Sequence, residues 1–157
     1  MGWGIVEVAG SRLVFVATGV VTSRASDPLA RSLRTLHEGL AAVIRAHGPD
    51  EGAVEETFVN RDPQSALKLG QARAIAIVVP SLAGLEVFEY AATVIKKTVT
   101  GSGHAEKGQV ATMVKVLLPR SDAASADAAD ALAVAITHAH HRAARARRAP
   151  AAADATK

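Results

Sequence analysis

Two aspartates, Asp127 and Asp130, stand three residues apart in SADAADALAVAITHAH (125–140), at the head of an otherwise apolar, alanine-rich segment. Residues three apart share one face of a helix, so both carboxylates point the same way. Acids in a first helical turn also complement the N-terminal dipole, which gives them a plain structural reading beside the chemical one. A third acid, Glu55, ends the apolar stretch AVEETF just before Asn60-Arg61-Asp62-Pro63. Ligand sites of open α/β sheets lie outside the carboxyl ends of strands, where Glu55 falls; taken alone, it reads as an exposed strand-end glutamate. Together, Glu55, Asp127 and Asp130 supply hard oxygen ligands of the kind Mg²⁺ takes alongside substrate phosphates. Two such ions can activate a water and stabilise the leaving oxygen of a phosphodiester.

Other residues suit a nucleic acid. Phe58 follows Glu55 by three positions in a chain with only three Phe, one Tyr and one Trp, and an aromatic there can stack on an unpaired base or fill a core. Lys96 and Lys107 flank the polar stretch KKTVTGSGHAEKGQ and suit phosphate contacts, although solvated lysines are the simpler reading. His140, His141, Arg142, Arg145, Arg147 and Arg148 crowd one basic end, which reads as a solubilising tail or as a polyanion contact. His138 reads as a packing residue rather than a ligand.

Strands and helices must bring these groups together. GWGIVEV (2–8) and SRLVFVATGVVTS (11–23) are valine-rich around the turn Ala9-Gly10 and predict an antiparallel pair. Leu29, Leu33, Leu36, Leu40, Val43 and Ile44 recur near 3.6 residues and predict a helix to about His47, with Asp27 as N-cap and Pro28 in its first turn. A strand over 52–58, a mostly buried helix over 65–83 and a strand over 84–90 follow. Three further helical segments lie in AATVIKKTV, AEKGQVATMVKVLL and ADAADALAVAITHAHHRAARAR. Strands joined through helices after a hairpin imply an α/β domain with a mixed sheet.

The 157 residues, 49% hydrophobic and 21% charged, fit one folded domain over 1–148, with a low-complexity, disordered tail at 149–157. No apolar run is long enough for a bilayer span, and MGWGIVEVAG lacks a signal-peptide layout. The absence of cysteine excludes disulfides and thiolate metal sites and fits a cytoplasmic protein without a membrane partner.

QSALKLGQARAIAI (64–77), VFEYAATVIKKTVTGSGHAEKGQV (87–110) and ADAADALAVAITHAH (126–140) occur in order, and the chain resembles the RuvC family from about Gly2 to His140. The resemblance implies an RNase H-like fold with a five-stranded mixed sheet flanked by helices. It implies a homodimeric Holliday-junction resolvase that nicks opposed strands of four-way DNA in recombination and repair, using Mg²⁺, two ions per subunit in a complete site. RuvA and RuvB are the implied partners. Glu55, Asp127 and Asp130 match three of the family's four catalytic, metal-binding acids; Phe58, Lys96 and Lys107 match its DNA-contacting positions. The fourth acid sits on an opening strand of the form Leu-Gly-Ile-Asp-Pro-Gly, whereas this sequence starts at Met1-Gly2-Trp3-Gly4. The expectation is therefore a chain lacking the first strand, poorly active and poorly folded, either from a misplaced start or as a truncated copy. A junction-binding protein without nuclease activity is the alternative.

Overall fold

The computed structural model describes residues 1–56 and 63–148, without the side chains of 63, 64, 107 and 146–148. Strands β1 (Gly2–Ala9) and β2 (Arg12–Val20) form the expected antiparallel hairpin, with a register shift between Ile5 and Val6. Strands β3 (Glu51–Glu56) and β4 (Glu86–Ala91) pair in parallel, Glu51 opposite Glu86 and Glu55 opposite Tyr90. Helices α1 (Leu29–His47) and α2 (Pro63–Leu82) flank β3 in sequence, and α3 (Ala92–Thr100), α4 (Lys107–Leu117) and α5 (Ala126–Arg148) follow β4. The strand pairs are separate: among the described residues β1 bonds only to β2, and β3 only to β4.

The core lies where α3, α4 and α5 meet. Val114, Leu118, Leu132 and Ile136 are essentially fully buried, with Ile95, Val99 and Tyr90 in the same cluster. Burying an aliphatic side chain of this size stabilises the fold by about 1.5–3 kcal/mol. Thr137 is buried too, and its hydroxyl donates back to the Ala133 carbonyl at 2.8 Å, so no polar atom is stranded there. The hairpin rests directly on α5. A Cβ at Gly2 would run into the Asp127 carbonyl, and one at Gly4 would stand 2.7 Å from Leu132 Cδ2. Only glycine lets strand and helix backbones approach this closely.

Two expectations are corrected. Asp27 does not cap α1: Pro28 takes the cap position with no side-chain bond, and the Asp27 carboxylate pairs with Arg31 at 3.7 Å. Nor is α2 mostly buried. Among its described side chains only Val79 and Pro80 are, while Leu67, Leu69, Val78 and Leu82 are exposed. Its apolar residues encircle the helix, so whichever face meets α1 and the β3–β4 pair, others remain outside.

Candidate active site

Between β1 and β3 lies a cleft of about 1040 Å³, bounded also by α1, α2 and α5. The unpaired edges of β1 and β3 both line it. From α5 it receives Asp127, Asp130, Ala131, Val134, Ala135, His138 and Arg142, a stripe recurring every three to four residues along one helical face. The middle of that stripe is small or apolar, leaving the aspartates at its N-terminal end and His138 and Arg142 further along.

Ser125, not an aspartate, caps α5: its hydroxyl accepts the Ala128 N–H at 3.2 Å, and its carbonyl accepts that of Ala129 at 3.1 Å. The ion pairs among the described residues do not involve Asp127 or Asp130. Both aspartates lie on one helical face lining the cleft, and the Asp127 backbone carbonyl lies against Gly2. Asp127 is exposed and Asp130 half-buried.

Glu55 lines the same cleft from β3. Its backbone is held by Arg73 of α2, which also lines the cleft, donates to the Glu55 carbonyl at 3.3 Å and pairs with Glu89. The three acids thus share one cleft, and hard carboxylate oxygens fit a divalent ion such as Mg²⁺ in kind. Among the described residues, however, no three acidic or imidazole groups stand close enough to hold one ion. Lys96 is half-buried on α3; Lys107 opens α4, with its side chain outside what is described, and Phe58 lies outside the described residues.

A network that local spacing did not reveal surrounds His138. Its Nε2 lies 2.6 Å from Glu51 Oε2, and its Nδ1 lies 2.9 Å from the Tyr90 hydroxyl. A carboxylate only accepts, so Nε2–H of the neutral ring donates to Glu51 and Nδ1 accepts from Tyr90. Arg142 and Arg145 also approach Glu51, at 3.5 and 3.9 Å, and Arg145 lies over the Phe88 ring at 4.2 Å. His141 meets Tyr90 in a tilted ring contact, with ring centroids 5.2 Å apart.

Burial holds His138 below its ordinary 6.5; Glu51 acts against this, and the charges of Arg145 and Arg142 add to it. The unfolded chain therefore takes up this proton more readily, and stability is lost as pH falls through 6.5 and below. The expected outcome is that His138→Gln flattens the fall of Tm between neutral and mildly acidic pH. Parallel Tm profiles for the two proteins would contradict this.

A family model described as crossover junction endodeoxyribonuclease RuvC matches residues 1–138. The crossover junction endodeoxyribonuclease RuvC of Beijerinckia indica subsp. indica is 70% identical over 142 residues, 90% of this chain and 81% of that one. The chain belongs to the RuvC family. The RuvC of Methylocella silvestris is 68% identical over 146 residues, 93% of this chain and 83% of the relative. Among solved structures, Thermus thermophilus RuvC superimposes with a TM-score of 0.82 at 31% identity, covering 92% of this chain and 89% of that one. T. thermophilus RuvC in complex with Holliday junction substrate gives 0.82 at 33% identity, over 90% and 87%. The RNase H-like fold follows, and within this RuvC-family α/β frame the cleft occupies the gap between the two strand pairs.

Proposed function

We propose that the chain is a structure-selective endonuclease that nicks opposed strands of four-way DNA junctions in recombination and repair. The observation that carries this reading is the placement of Glu55, Asp127 and Asp130 in one open cleft of a RuvC-family fold. Their oxygens would hold Mg²⁺, two ions in a complete site, which supply charge for a phosphoryl transition state and acidify water. The chain's own contribution is placement. α5 presents Asp127 and Asp130 from a rigid, core-packed helix, and Arg73 fixes the backbone at Glu55.

DNA contacts fall to Lys96, Lys107 and Phe58 in this reading, with phosphate contacts orienting the junction. A homodimer would place two such clefts on one junction. The exposed Leu67, Val78 and Leu82 of α2, 64%, 46% and 75% accessible, support a second copy as the cover of that helix. RuvA and RuvB as partners, and a cytoplasmic location, rest on the family; among the described residues no helix is long and apolar enough to cross a membrane.

The non-catalytic alternative, a junction binder, is favoured by one observation: no three donors among the described residues already form an ion-holding group. A gel with a labelled four-way junction, a linear duplex of the same sequence and Mg²⁺ separates the readings. The expected outcome is a junction-selective shift that weakens steeply with salt, with nicks in the shifted complex. A shift without nicks supports the binder, and equal affinity for both DNAs would overturn both readings.

A further inference from the structure

Among the described residues β3–β4 shares no hydrogen bond with β1–β2, and side chains of α5 reach across to both strands of the pair. The stripe of α5 between its aspartates and His138 is Ala131, Val134 and Ala135, which give β3 no polar hold. Among the described residues, Glu51 of β3 is reached by three side chains of α5: His138, Arg142 and Arg145.

We propose that His138 is a positioning residue, which by holding Glu51 of β3 and Tyr90 of β4 together sets where Glu55 stands relative to Asp127 and Asp130. This rests on the ion-site reading above. Glu51 lies on the same strand face as Glu55, four residues earlier, and Tyr90 is the cross-strand partner of Glu55. One imidazole thus grips both strands of the pair, and both its nitrogens are occupied in doing so. The bonds span 87 and 48 residues of sequence, and each joins an element carrying or flanking Glu55 to the helix carrying the aspartates. Arg145 extends the grip, its guanidinium 3.5 Å from the Tyr90 hydroxyl.

The ring lies eight residues after Asp130, about 12 Å along the helix axis, and therefore acts on the ion through the strands and not by ligation. Ions of this size tolerate little error in ligand placement. Loss of an orienting partner typically weakens metal affinity about 10–100-fold.

The test is a titration of the full chain with Mn²⁺ alone, without DNA, following free Mn²⁺ by electron paramagnetic resonance, with Tm recorded for every variant. His138→Ala is expected to raise the Mn²⁺ midpoint about tenfold or more. His138→Gln, which keeps an ε-position donor for Glu51, is expected to stay within about threefold of the unsubstituted chain. Should His138→Ala not fold, Tyr90→Phe removes only the hydroxyl and is expected to shift the midpoint in the same direction. Val99→Ala, in the core away from the cleft, is expected to lower Tm and leave the midpoint in place. Equal midpoints for the unsubstituted chain, His138→Ala and Tyr90→Phe, with only Tm falling, would overturn the positioning role and leave the ion site standing. Failure of the unsubstituted chain to bind Mn²⁺ would overturn the ion site, and the positioning role with it.

Discussion

Adding to the chain one strand that carries an aspartate, seated between the β1 and β3 edges of the cleft, is expected to raise Mg²⁺-dependent nicking of a four-way junction by about a hundredfold or more. The cleft between β1 and β3 presents two unpaired strand edges, and backbone groups left without partners in a partly buried groove are costly. A strand seated there would bond to both edges and make one sheet of five. Its aspartate would join Glu55, Asp127 and Asp130 as a fourth hard ligand, and a preorganised charge of that kind typically changes rates about 10²–10³-fold. The same extension is expected to stabilise the fold by about 2–4 kcal/mol, a Tm rise of about 5–15 °C. Comparable nicking and Tm with and without the strand, measured on the same junction, would mean that Glu55, Asp127 and Asp130 suffice and that the strand does not seat between the two edges.

The second large effect concerns the α5 aspartates. In the extended chain, Asp130→Asn is expected to lower the nicking rate by about 10²–10³-fold while the gel-shifted junction complex persists. Asparagine keeps the shape and one acceptor oxygen but removes the charge an ion requires. Ser125 supplies the helix cap, and the ion pairs of the described residues leave Asp130 aside, so stability should change by less than about 1 kcal/mol. A folded Asp130→Asn protein with unchanged nicking would exclude this carboxylate from the site; loss of the complex along with the nicks would instead give it a role in binding.

Much of this was legible in sequence because its signals are local. Valine-rich alternation around Gly10 marks the hairpin, and the 3.6-residue recurrence from Leu29 to Ile44 marks α1. The spacing of Asp127 and Asp130 puts both on one face of α5, and that face lines the cleft. What escaped depends on partners remote in sequence. His138 read as a packing residue, and half of that holds, since it stacks on Phe88 with ring centroids 4.8 Å apart. Its bonds to Tyr90 and Glu51 cross 48 and 87 residues, and no spacing rule reaches that far. Helix α2 misled for another reason. An apolar composition distributed around a helix does not say which face the fold leaves outside, and here Leu67 and Leu82 stay exposed. The assignment of Asp27 as a cap failed because its carboxylate turned to Arg31 and not to the helix N–H groups.

The most direct single measurement maps the cuts made in a four-way junction, labelled in turn on each strand, by this chain in the presence of Mg²⁺. The expected result is paired nicks at symmetric positions on two opposed strands, absent from a linear duplex of the same sequence. Cuts scattered over all four strands, or equal cutting of the linear duplex, would contradict a junction-selective nuclease built on this cleft.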